Sequence, residues 1–191
     1  MEPRLVLASA SPRRAQILRS LGVTFRVHVA NVAESLEPGE GARAAAERLA
    51  RKKALAVAAL ETMLPVLAAD TLVVCDDEAL GKPASEDDAA FMLRRLAGRD
   101  HEVVTGVCLA HAGRVLAGIE SSLVRFAPLA DVEITAYVAT GEPLDKAGGY
   151  HIDGRGALFV ESVTGSPSNV AGLPVRLVAR LFAQAGVRLF P

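Results

Sequence analysis

The chain has 191 residues, 51% of them hydrophobic and 23% charged, with a formal net charge of −1. This length and apolar content exclude disorder and fit one domain or two closely packed lobes around a sizeable core. The near-neutral balance excludes a general attraction to nucleic acid or anionic membrane, so any phosphate binding must come from local groups of Arg and Lys.

Along the chain, residues 5–8 read as a buried strand that runs straight into a helix over 12–21. An alternating strand over 24–29 leads into a loop over 30–41, and an Ala- and Leu-rich helix covers 42–60. A continuous apolar strand spans 65–76, and a helix from Ser85 to Leu96 opens with a capping box completed by Asp88. Strands over 101–110 and 114–126 are joined by His111-Ala112-Gly113 as a long hairpin. A helix over 131–139, a Gly-rich stretch over 141–156, a short strand over 157–160 and a final helix over 169–184 follow. The expectation is a mixed α/β fold without repeats: an elongated sheet flanked by helices, with two lobes and a central cleft.

Cys75 and Cys108 lie far apart in apolar runs without metal-ligand spacing, so they read as core thiols. The opening MEPRLVLASASPRR is too short in apolar residues for a signal peptide, and no later run approaches the roughly 20 residues of a membrane span. A cytoplasmic protein without membrane attachment is expected.

In LASASPRR, Ser11 suits the N-cap and Pro12 the first helical position, so backbone N–H groups of that turn, with Arg13 and Arg14, can form an anion site. Alternatively, Ser-Pro merely starts a helix and both arginines are solvated. On the second helix, at 100° per residue, Ala42, Ala45, Ala46, Leu49, Ala56 and Leu60 share a stripe that includes Lys53, while Arg43, Glu47, Arg48 and Arg51 point away. A core-facing lysine needs an anionic partner, either a carboxylate or a bound phosphate. Lys52 sits at the stripe's edge and reads as solvent-facing. Asp70 interrupts an apolar strand and needs a metal, a cation or several N–H donors; an arginine salt bridge or a strand end would also accommodate it. Lys82, in the turn Leu80-Gly-Lys-Pro, is a weak candidate phosphate contact. Glu34 and Glu37 are either solvated loop acids or contributors to a metal site beside Asp70. The four histidines form no metal-spaced pair, and no P-loop or Gly-x-Ser-x-Gly elbow is present.

The blocks LASASPRRAQIL, LARKKALAVA, AADTLVV, LGKP, LRRLAGRDHEVVTGV, PLDKAGGYHIDGRG and SNVAGLPV together resemble the Maf family of nucleoside triphosphate pyrophosphatases, over nearly the whole chain. The resemblance implies a single Maf-like domain over residues 1–191 with a fold like that of inosine triphosphate pyrophosphatases. It also implies a homodimer, and cleavage between the α and β phosphates with Mg2+ or Mn2+. It implies that Ser9, Arg13, Arg14, Lys53 and Lys82 hold the triphosphate, with Thr71 and Asp153 at specificity positions. Asp70 would accept a proton or bind metal, with Glu34 assisting at the metal.

DKAGGY, SNVAGLP, Arg13 and Thr71 resemble the branch that acts on dTTP and UTP, cleansing the nucleotide pool. Asp153 departs from it, because that branch usually has Gln there and the 7-methyl-GTP branch has Glu. An ionised Asp can only accept hydrogen bonds, which suits the N–H donors of a guanine edge. Ala97 also stands where the family often has Ser. The resemblance leaves two alternative roles, a purine nucleotide pyrophosphatase and a nucleotide-binding regulator of septum formation.

Overall fold

The structure, a computed structural model, describes residues 2–190. In chain order its elements are β1 (Leu5–Leu7), α1 (Pro12–Ser20), β2 (Phe25–Val27), α2 (Ala42–Ala58), β3 (Val66–Cys75), β4 (Glu78–Leu80) and α3 (Glu86–Leu96). Then follow β5 (Asp100–His111), β6 (Arg114–Phe126), α4 (Asp131–Val138), β7 (Val160–Thr164), α5 (Pro167–Val170) and α6 (Val175–Ala185). Seven strands among the described residues form one mixed sheet in the order β2-β1-β3-β5-β6-β7, with β4 paired to β3. β1 lies parallel to both β2 and β3, whereas β3–β4 and β6–β7 are antiparallel. No helix is long and apolar enough to cross a membrane.

The chain divides into two compact units. The first comprises residues 1–70, 105–120 and 172–191, and the second residues 71–104 and 121–171.

In the first unit β1 and the start of β3 are apolar on both faces because helices cover both. Leu5, Leu7, Leu67 and Ala69 pack in one cluster with Leu18 of α1 and Leu181 and Phe182 of α6. The alternate residues Val6, Ala8, Val66 and Ala68 pack with Ala50, Ala54 and Val57 of α2. Gly106 on β5 sets how closely α2 approaches: a Cβ there would stand 2.3 Å from the Ala46 carbonyl oxygen. The buried stripe of α2 is Ala45, Ala46, Leu49, Ala50, Lys53, Ala54 and Val57. Ala56 and Leu60, assigned to that stripe from the sequence, are exposed, because the stripe runs through Ala50, Ala54 and Val57 instead.

The core of the second unit contains an aromatic group, Phe126, Tyr137, Tyr150 and Phe159, among aliphatic residues. His101 packs edge-on against Phe126 and Tyr150, with ring centroids 4.9 and 5.4 Å away, and its Nε2 lies 2.9 Å from the Tyr150 hydroxyl. Nδ1 has no hydrogen-bond partner among the described residues. Burial pushes this imidazole down to about 4, a shift that Asp100 only partly opposes. The folded form therefore takes up a proton only below the range in which the unfolded chain does, near 6.5. Stability should be full above pH 6.5 and fall as pH drops toward 4, by roughly 3 kcal/mol at most. Chemical denaturation across this window checks the effect, which His101→Gln should flatten.

Both cysteines are free and buried, as core thiols should be, and burial pushes Cys108 up to about 11. Three elements differ from the sequence reading. The strand expected over 65–76 ends in a tight turn at Asp76 and Asp77, with φ of 53° and 61°, and returns as β4. Residues 155–159 form a 3-10 turn before β7 rather than a strand over 157–160. The single helix expected over 169–184 is two, because Gly172 has φ of 96° and Pro174 occupies the N-cap of α6.

Candidate active site

The two-residue period of β3 decides where Asp70 points. Val66 and Ala68 face α2, so Asp70 continues that face and meets the one cation on the buried stripe of α2. Lys53 Nζ donates to Asp70 Oδ1 at 2.6 Å and pairs with Glu34 Oε2 at 2.8 Å. Lys53 and Asp70 are each 6% exposed, whereas the Glu34 side chain, on the loop before α2, is 48% exposed. Of the partners open to Lys53 from the sequence, the structure supplies two carboxylates.

Beside them lies the turn from β1 into α1. Ser11 occupies the N-cap, but its hydroxyl does not cap the helix. The neighbouring Ser9 Oγ accepts from the Ser11 N–H at 3.2 Å and from Arg14 Nη1 at 3.1 Å. Arg14 Nε donates to the Gly172 carbonyl at 2.8 Å, so the guanidinium is buried rather than solvated. Burial pushes Arg14 below its ordinary value and Arg13 adds to the effect, while Asp70 and Glu34 push back. Arg13 itself is half-buried.

Asp70 and Glu34 both reach Lys53 Nζ, whose ammonium occupies the place between them. Among the described residues no group of three or more His, Cys, Asp and Glu could hold a metal. Two carboxylates nevertheless suit Mg2+ or Mn2+, hard ions that take one or two protein carboxylates and complete their shells with substrate phosphate and water. The donor set therefore fits a substrate-shared metal. Glu37, the other loop acid considered, lies 3.6 Å from Arg48.

The remaining candidates belong to the second unit. Thr71 follows Asp70 on β3 and is half-buried, while Lys82 and Asp153 are exposed. The Gly81 carbonyl, next to Lys82, accepts from the Gly148 N–H at 3.0 Å. Asp153 lies in a loop clasped by Glu142. The Glu142 carboxylate accepts from the Tyr137 hydroxyl at 2.9 Å and from the N–H groups of Arg155 and Gly156, each at 3.2 Å. A Cβ at Gly154 would stand 2.5 Å from His151 Nδ1 and 2.7 Å from that carboxylate, so a larger residue there would displace the ends of both side chains. Burial pushes the Glu142 carboxyl up, but the two N–H groups, Tyr137 and His151 outweigh it and hold it below its ordinary value.

A family model described as Maf-like protein matches residues 4–185. The chain belongs to the Maf family. It is 55% identical to a dTTP/UTP pyrophosphatase of an Anaeromyxobacter species, over 96% of this chain and 90% of that protein. It is 46% identical to a dTTP/UTP pyrophosphatase of Symbiobacterium thermophilum, over 98% and 96% of the two chains. Among solved structures, the Staphylococcus aureus Ham1 protein gives a TM-score of 0.45 at 15% identity, covering 64% of this chain and 71% of its own.

Two contributors to this Maf chain's architecture were not singled out from the sequence, although both lie in its SNVAGLPV block. Gly172 supplies the Arg14 acceptor. Asn169 is fully buried and its Nδ2 donates to the Val103 carbonyl at 2.9 Å and to Ser122 Oγ at 3.0 Å. An asparagine just ahead of Gly172-Leu173-Pro174 was the available signal.

Proposed function

We propose that this Maf protein is a nucleoside triphosphate pyrophosphatase acting on dTTP and UTP, releasing a nucleoside monophosphate and pyrophosphate. The observation that carries this reading is the buried Lys53 between Asp70 and Glu34, in a chain 55% identical to a dTTP/UTP pyrophosphatase.

Ser9, Arg13, Arg14, Lys53 and Lys82 hold the phosphates in this reading, while Thr71 and Asp153 contribute to substrate selection. A buried ammonium requires anionic partners, and the phosphate oxygens can take that place as substrate enters. Asp70 orients a water and accepts its proton as the water oxygen bonds to the α phosphorus. The oxygen bridging to the β phosphorus leaves with pyrophosphate, so no covalent enzyme intermediate is needed. Fixed cations in a buried site oppose the charge that builds on the phosphate oxygens. Mg2+ or Mn2+ held by Glu34 and Asp70 would supply further charge neutralisation when bound. The family resemblance supports a homodimer and a cytoplasmic, pool-cleansing role as parts of the same proposal.

Pyrophosphate release from a panel of dTTP, UTP, GTP, 7-methyl-GTP and the other standard triphosphates, with Mg2+ or Mn2+, tests the reading. Turnover of dTTP or UTP, with monophosphate formed in equal amount, is expected, and no turnover of any nucleotide would sink it. Asp153→Gln restores a side chain that both donates and accepts, and should raise kcat/KM for UTP relative to GTP by about tenfold. A parent that prefers guanine nucleotides would favour the purine alternative.

A further inference from the structure

We infer that Arg48 and Lys52 are positioning residues, strapping the loop before α2 so that the Glu34 carboxylate stands at Lys53 and Asp70; this rests on the role proposed above for Glu34. From the sequence both residues read as outward or solvent-facing. On α2, however, positions 48 and 52 are one turn apart and share a side of the helix with the loop.

Arg48 Nε and Nη2 donate to the two oxygens of Glu40, each at 2.6 Å, and Nη2 also donates to the Ser35 carbonyl at 3.1 Å. Lys52 Nζ donates to the Ala33 carbonyl at 3.0 Å. The residues on either side of Glu34 are thus held by α2 through their backbone, and Glu34 itself is held through Lys53. At the loop's far end, Glu40 N–H donates to the Glu37 carbonyl at 3.0 Å, and Glu37 N–H donates to Glu40 Oε2 at 3.3 Å.

The bonds to the Ser35 and Ala33 carbonyls are exposed and the Arg48–Glu40 pair is only part-buried, its side chains 28% and 11% exposed, so these contacts act mainly on position. Asp70 is fixed by its strand, but Glu34 has no strand or helix beneath it. A half-exposed carboxylate on a loop takes up one place only if its flanking backbone does. The fork on Glu40 needs the planar guanidinium, which a lysine cannot reproduce.

The test measures Arg48→Ala, Lys52→Ala and the double variant, each in the parent and in Glu34→Gln. Steady-state kinetics on the best substrate, thermal midpoints and amide hydrogen exchange over residues 33–40 are followed. In the parent, the double variant should lose about ten- to a hundredfold in kcat with KM little changed, as misplacement of a catalytic group does. The loss should vanish in the Glu34→Gln background, and exchange over 33–40 should rise while the midpoint changes little. Full activity of the double variant, an equal loss in the Glu34→Gln background, or unchanged exchange would each overturn the inference. Parent-like turnover by Glu34→Gln would instead remove the role assigned to Glu34, and the inference with it.

Discussion

Asp70→Asn is expected to lower kcat by about a hundred- to ten-thousandfold, while leaving the fold and the binding of a non-hydrolysable triphosphate analogue largely intact. Asn keeps the shape and can still accept from Lys53 Nζ at Oδ1, now 2.6 Å away, so the buried ammonium is not stranded. What it cannot do is carry the charge that orients and deprotonates water. Glu34 remains as a charged partner 2.8 Å from Lys53, which limits the cost in stability. Measuring kcat, analogue affinity and thermal midpoint together separates the outcomes. An Asp70→Asn enzyme as fast as the parent would refute the proton-accepting role, and a collapsed midpoint would point to a structural one.

The second large effect separates two arginines that are adjacent in sequence. Arg14→Ala removes a buried guanidinium together with its bonds to Gly172 and Ser9. Bonds from a charged donor are worth about 1.5–3 kcal/mol each, and the orphaned acceptors add to the loss. A decrease of about 3 kcal/mol should lower the thermal midpoint by about 6–12 °C in a chain of this size. Arg13→Ala, at a half-buried position, should leave the midpoint nearly unchanged and lower kcat/KM by about tenfold or more. Equal midpoints for the two variants would contradict the division of roles read from the structure.

Much of the first unit was legible because its signals are local and periodic. The apolar run over 65–76 predicts a strand, and helical spacing places Lys53 on the core-facing stripe of its helix. A charge on each of two buried surfaces leaves few ways to arrange them other than together. The β3–β4 turn was missed because Asp-Asp is a weaker signal for two positive-φ residues than Asn-Gly. The final helix was read too long because Leu177, Val178, Leu181 and Phe182 carry a strong period, and that outweighed the punctuation of Gly172 and Pro174. The Arg48 and Lys52 contacts leave no periodic trace: their acceptors are carbonyls, which every residue carries. The Glu142 clasp is invisible for the same reason, since Arg155 and Gly156 take part through backbone N–H groups.

The bond between Arg14 and Gly172 joins positions 158 residues apart in the chain. During synthesis Arg14 leaves the ribosome 158 residues before its acceptor is made. Until then its guanidinium has no fixed direction from that side, and the turn beside Ser9 is unfinished. A chain stopped short of residue 172 would carry every residue of the Glu34, Lys53 and Asp70 cluster and still lack the Arg14 acceptor. Completion of the turn beside Ser9 is thereby tied to synthesis of residue 172, and a product truncated before it should be a poor nucleotide binder.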